Sequence, residues 1–218
     1  MFGAGGDDRL NGGLGADRTD GGLGNDTHMV DDAADIVVEG TGEGTDRVLA
    51  SVSYVLTGGT EIEQLATTRA SGTDAIDLTG NELANRIVGN AGANVIDGGG
   101  GTDRLFGLAG DDLFRFADAG DSGIGAARDI IGDFEGGGAA GGDVIDLALI
   151  DAIDGGGDDA FTLIAGSVFT APGQLRLVFL AESNETVILG NMDADSGAEF
   201  QIALSGQVSL SDPGDFNF

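Results

Sequence analysis

Four aspartates near the N-terminus, Asp8, Asp17, Asp26 and Asp35, recur every nine residues. Glycines crowd the stretch before each of the first three: Gly3, Gly5 and Gly6; Gly12, Gly13 and Gly15; Gly21, Gly22 and Gly24. A second series repeats the spacing with Asn85, Asn94, Asp103 and Asp112, preceded in its last two members by Gly98, Gly99 and Gly101 and by Gly107 and Gly110. Carboxylate oxygens and the carbonyls of tight turns are hard donors, and Ca²⁺ takes six to eight of them. The chain has no cysteine and a single histidine, His28, so zinc and copper lack their usual ligands. The chemistry these residues can do is to hold several calcium ions, with the named Gly and Asp positions and Asn94 as candidate ligands.

The elements that must position them follow from the spacing. The register is G-G-x-G-x-D-x-U-x, with U a large apolar residue, and it begins at Gly3, Gly12 and Gly21 and again at Gly80, Gly89, Gly98 and Gly107. Six glycine-rich residues make a turn that needs positive φ, which glycine adopts without a Cβ clash. The remaining x-U-x forms a short strand with one side chain inward. One repeat reverses the chain and two complete a coil, so repeats of fixed length predict a solenoid. Residues 18 apart then stack at about 4.8 Å, which sets Asp8 over Asp26, Asp17 over Asp35, Asn85 over Asp103 and Asn94 over Asp112. Like charges at such spacing repel by roughly 1 kcal/mol in water and more in a less polar groove. Ordering this many glycines costs further entropy. A cation is the expected staple.

These phrases resemble the RTX (repeats-in-toxin, haemolysin-type) calcium-binding nonapeptides, which form parallel β-rolls. The resemblance implies an all-β chain: a parallel β-roll solenoid of nonapeptide repeats with a C-terminal β-rich cap. Asn85 and Asn94 stand where the pattern has Asp, and Leu83 stands at a glycine position. Those turns are expected to bind weakly or only to shape the coil. Thr19 and His28 occupy U positions and are expected to be weakened core sites at the exposed start of the roll, where burial matters less.

Residues 1–35 and 80–128 are expected to be the two repeat blocks, with 36–79 a β-solenoid spacer of strand-like runs at 48–56 and 62–68. From Asp129 the nine-residue rhythm stops. Asp129, Ile131, Asp133 and Phe134 precede a turn "EGGGAAGG", then strand-like runs at 161–164, 174–180, 186–189 and 200–204. This order resembles the C-terminal domain of serralysin-type proteases, and by that resemblance Asp129 and Asp133 carry calcium; solvated acids at a turn are the alternative. "NMDADSGAEF", 191–200, starts like an EF-hand but lacks the acid at position 12. An acidic β-turn between strands fits it better than an irregular calcium site.

A net charge of −29, with 38 acids against nine arginines and no lysine, argues against nucleic acid and anionic membrane surfaces as partners. No stretch approaches the roughly 18 apolar residues of a membrane helix, so no membrane insertion is expected. A hydrophobic content of 41% is too high for a disordered acidic chain, and a glycine-rich linker does not keep Asp and U in register. The N-terminus lacks the charged-then-apolar layout of a secretory signal. The last four residues, Asp215, Phe216, Asn217 and Phe218, put an acid before aromatics, which resembles the terminal signal read by a type I ABC exporter. One histidine excludes H-E-x-x-H, and the chain lacks G-x-S-x-G, Cys and Lys. The reading is therefore a secreted, extracellular, non-catalytic module, the C-terminal part of an exoprotein. A polysaccharide-binding or adhesive module, like those attached to alginate epimerases, is the alternative. It requires an arginine-rich or aromatic face, for which nine arginines spread along the chain and one tyrosine give thin support.

Overall fold

In the computed structural model, which describes residues 1–136, 142–155, 157–210 and 214–218, each repeat is a turn followed by a short strand whose middle residue points inward. The longer sheet stacks Arg9–Asn11, Thr27–Val30, Arg47–Ala50, Gln64–Thr67, Arg86–Val88, Arg104–Phe106 and Asp129–Ile131 in parallel. Its inward residues, Leu10, His28, Val48, Leu65, Ile87, Leu105 and Ile131, form one buried column. The other wall has two sheets. One stacks Phe2–Gly5, Arg18–Leu23 and Ile36–Val38; the other runs through Tyr54–Val55, Leu78–Thr79, Val95–Asp97, Leu113–Arg115 and Val144–Asp146. Val37, Tyr54, Leu78, Ile96, Phe114 and Ile145 point inward from it, and both walls share one apolar core.

In the repeat blocks the rungs step by 18 residues, as in Leu10 with His28 and Ile87 with Leu105. Between the blocks, His28 pairs with Val48, Val48 with Leu65 and Leu65 with Ile87, steps of 20, 17 and 22 residues. The turns absorb these differences while the inward column keeps its register, because a one-residue slip would turn the apolar side chains outward.

Residues 137–141 of the glycine-rich turn after Asp133 lie outside the described residues. Beyond it the long sheet changes character. Phe200–Ser205 lies parallel to Asp129–Ile131 and antiparallel to Glu185–Asn191, which is itself antiparallel to Gln174–Leu180. The last strand, Phe216–Asn217, adds to Val144–Asp146 in parallel. Phe216 is buried and stacks on Phe218 at 5.2 Å between ring centroids, and Phe218 meets Phe161 at 6.4 Å. The C-terminal residues read as an export signal are thus built into the fold. Among the described residues, no helix is long and apolar enough to cross a membrane.

Two expectations are corrected here. Thr19 and His28 are not loosely covered: they are 5% and 0% exposed, and they bond to each other across the roll, Thr19 Oγ1 to His28 Nδ1 at 2.7 Å. A buried polar pair is tolerable because each satisfies the other. The arginines are not evenly spread either. Arg9, Arg47, Arg86 and Arg104 fall in one outward row of the long sheet, with Thr27 and Gln64 between them.

Candidate metal centres

The stacked acids form a ladder in which each turn's backbone holds the next turn's carboxylate. Asp8 N–H donates to Asp26 Oδ1 at 2.6 Å, and Asp26 N–H donates to Asp46 Oδ1 at 2.7 Å. Asn85 N–H donates to Asp103 Oδ1 and Asp103 N–H to Asp129 Oδ1, both at 2.7 Å. On the opposite wall Asp17 donates to Asp35, Asn94 to Asp112 and Asp112 to Asp143, at 2.8, 2.8 and 3.1 Å. One oxygen of each accepting carboxylate, from Asp26 and Asp35 to Asp129 and Asp143, is therefore fixed in position.

The second oxygen is the informative one. Oδ2 of Asp8, Asp26, Asp103, Asp112 and Asp129 is buried and has no hydrogen-bond partner. A buried acceptor left unsatisfied costs about 1–3 kcal/mol, and more when charged. Hard, buried, unpartnered oxygens at intervals of one rung are a donor set that fits calcium. The first glycine of the repeat makes room for that oxygen. A Cβ built on Gly98 would lie 2.3 Å from Asp103 Oδ2, and one on Gly107 would lie 2.1 Å from Asp112 Oδ2. Gly3, Gly12 and Gly21 stand in the same relation to Asp8, Asp17 and Asp26. Later glycines serve the stacking: Gly24, at φ +134°, has the Gly6 carbonyl where its Cβ would be, and Gly101 and Gly110 stand likewise against Leu83 and Gly92.

Other candidate residues are placed differently. Asn94 Oδ1 accepts from Asn90 N–H at 2.8 Å, and its amide donates to Asn90 Oδ1 at 3.2 Å. Asn85 Nδ2 donates to the Ile62 carbonyl at 2.6 Å. In both turns the neutral side-chain amide spends its N–H on a carbonyl or amide oxygen, where an aspartate would leave an oxygen for a cation. Asp35 Oδ2 is taken up by the N–H groups of Asp31 and Asp32, at 3.1 and 3.3 Å. Asp133 accepts from Gly107 and Leu108 N–H with separate oxygens, at 3.1 and 3.0 Å. It braces a turn in which Leu108 has φ +78°. Asp129, by contrast, extends the ladder with a free oxygen.

Burial is the main electrostatic force on these groups. It pushes Asp103 up to about 8 and Asp129 to about 7, with backbone N–H donors working against it and neighbouring acids adding to it. Burial likewise raises Asp112 and Asp143 to about 6. No arginine forms an ion pair with any of these four acids among the described residues.

Asp46, Glu63 and Asp143 are ladder members that the repeat register misses, because their turns are longer than six residues. Asp46 N–H donates to Glu63 Oε2 at 2.6 Å. A signal was present: each precedes an x-U-x triplet, Arg-Val-Leu, Gln-Leu-Ala and Val-Ile-Asp, as Asp8 precedes Arg-Leu-Asn. The acidic segment 191–200 connects the antiparallel strands Glu185–Asn191 and Phe200–Ser205. Asp193, Asp195 and Glu199 gather there at the surface.

The RTX calcium-binding nonapeptide repeat matches this chain in four copies, over residues 1–27 and 79–114. Those stretches hold the turns that carry the unpartnered oxygens of Asp8, Asp26, Asp103 and Asp112. No curated protein matches the chain significantly. Among solved structures 27 chains match. One is the solution structure of the AlgE6R3 subunit from the Azotobacter vinelandii mannuronan C5-epimerase, 26% identical over 67% of this chain and 80% of that one, with a TM-score of 0.39.

Proposed function

Starting from the RTX calcium-binding repeats that the chain carries, we propose that it is a non-catalytic module that folds on binding Ca²⁺ outside the cell and supports the type I secretion of an exoprotein. The observation that carries this is the set of carboxylates with one buried, unpartnered oxygen, of which Asp26, Asp103, Asp112 and Asp129 have the other oxygen fixed by a backbone N–H. At the low calcium of a cytosol these charges oppose the coil. Extracellular calcium modules bind at about 10⁻⁴–10⁻³ M, and an ion that binds only the folded state drives folding by mass action. Asp8, Asp26, Asp103, Asp112 and Asp129 would hold the ions together with turn carbonyls. The test is far-UV circular dichroism of the chain with EDTA and with millimolar calcium. A disordered spectrum that becomes β on adding calcium is expected; a β spectrum in EDTA that calcium leaves unchanged sinks the reading.

Export would use the C-terminal residues in the unfolded chain, since the folded one docks Phe216 in a sheet. Deleting residues 215–218 should abolish secretion by a type I exporter. Calcium-induced refolding of the truncated chain, measured alongside, separates an export defect from a folding defect.

One observation favours a second reading, binding of an acidic polysaccharide. Arg9, Arg47, Arg86 and Arg104 are exposed in one row, and none forms an ion pair among the described residues. At about 4.8 Å per rung the row is roughly 24 Å long. Arg86 lies over the Phe106 ring at 4.5 Å, which fixes its guanidinium at the surface. Such a row matches the spaced carboxylates of a polyuronate. Retention on immobilised alginate in calcium, lost in an Arg47→Ser, Arg86→Ser variant, is the expected result; equal elution of both proteins counts against it.

A further inference from the structure

Glu39 lies outside both repeat matches, yet it reaches into the first ladder. Val38 pairs with Asp20, so the next residue, Glu39, stacks on Gly21. A Cβ on Gly21 would lie 2.0 Å from Glu39 Oε1 and 2.3 Å from Asp26 Oδ2, so both carboxylates converge over a glycine. Asp26 and Glu39 are 1% and 5% exposed, and Asp26 Oδ2 and Glu39 Oε2 have no hydrogen-bond partner. Asp46 completes the group: one carboxylate oxygen from each of Asp26, Glu39 and Asp46 lies within 4.8 Å of the others.

Two buried side chains hold Glu39 in place. His28 Nε2 lies 2.5 Å from Glu39 Oε1, and His28 Nδ1 lies 2.7 Å from Thr19 Oγ1. Thr19, His28 and Glu39 thus form one buried hydrogen-bonded chain. His28 holds Oε1 of Glu39 beside Asp26 Oδ2, and Oε2 of Glu39 has no hydrogen-bond partner. No arginine pairs with any of the three acids among the described residues.

We propose that Asp26, Glu39 and Asp46 form a tricarboxylate calcium site, in which Glu39 and Asp46 join the glycine-turn aspartate Asp26, that ties the first repeat block to the segment that follows it. The spacing suits this ion, since two oxygens each about 2.3–2.6 Å from one Ca²⁺ can lie up to about 5 Å apart. Mg²⁺ demands a tighter octahedron and keeps its water. The site rests on the reading of the chain as a calcium-dependent roll.

Equilibrium dialysis of the whole chain against ⁴⁵Ca²⁺, beside Glu39→Gln, tests it. Glutamine keeps an acceptor for His28 and removes the charge. The variant should saturate with one ion fewer while reaching the same β spectrum at saturating calcium. Equal stoichiometry and equal midpoints overturn the site but leave the proposed function standing. A wild-type chain that takes up no calcium overturns both. If Glu39→Gln does not fold, crystals of the wild-type chain grown in calcium decide. Density for an ion within about 2.6 Å of Glu39 Oε2 supports the site, and ions at the glycine turns with none at Glu39 refute it.

Discussion

Replacing Gly98 by alanine places a methyl group 2.3 Å from Asp103 Oδ2 and 3.0 Å from its Cγ. Non-bonded atoms do not approach so closely, so the carboxylate must swing away. Gly98 is not in the left-handed region, so alanine is conformationally allowed there and the damage is confined to the site. The displaced Asp103 loses the 2.7 Å bond from Asn85 N–H. A hydrogen bond to a charged group contributes about 1.5–3 kcal/mol. Loss of about 2 kcal/mol would raise the calcium midpoint of folding about 30-fold if one ion were linked to folding, and about twofold if roughly four ions shared it. The control is Gly100→Ala, where the nearest atom to a new Cβ is Glu82 Cα at 3.6 Å. Calcium titrations of all three proteins by circular dichroism should show Gly98→Ala displaced to higher calcium and Gly100→Ala close to wild type. Superimposed curves for Gly98→Ala and wild type would refute the assignment of Asp103 as a ligand placed by its glycine.

Asn94→Asp removes the amide that bonds to Asn90 Oδ1 and sets a charge above Asp112, so the variant should need more calcium to fold and bind one more ion at saturation, read by dialysis. The pH dependence has a definite sign. Asp103 at about 8 and Asp129 at about 7 hold protons more tightly in the calcium-free fold than in the unfolded chain. The calcium-free fold therefore gains stability as pH falls through that range and loses it as pH rises from about 4 toward 8. The calcium-free chain should therefore show more β signal by circular dichroism at pH 5 than at pH 8, and identical spectra at the two would refute this. Phe114→Ala empties a fully buried rung beside Phe134 and should cost about 3–5 kcal/mol, seen as a large fall in the melting temperature at saturating calcium.

The nine-residue period alone fixes a good deal. Glycines that allow the turn, an Asp that closes it and one inward residue are local requirements, so the coil, its 18-residue rung and the pairing of Asp8 with Asp26 or Asn94 with Asp112 can be read in one dimension. The strands 174–180 and 200–205 are also legible, as runs of alternating or continuous apolar residues. Period reading fails where turns change length, which is why Asp46, Glu63 and Asp143 escape it although each stands one residue before an inward strand. Three features belong to the tertiary structure alone. Which oxygen of each carboxylate is free depends on a backbone N–H one coil away. The alignment of Arg9, Arg47, Arg86 and Arg104 depends on rungs of 20, 17 and 22 residues closing on the same register. Thr19, His28 and Glu39 meet only because opposite walls and successive coils enclose one space, so two residues that read as weak core positions become a buried relay to a carboxylate.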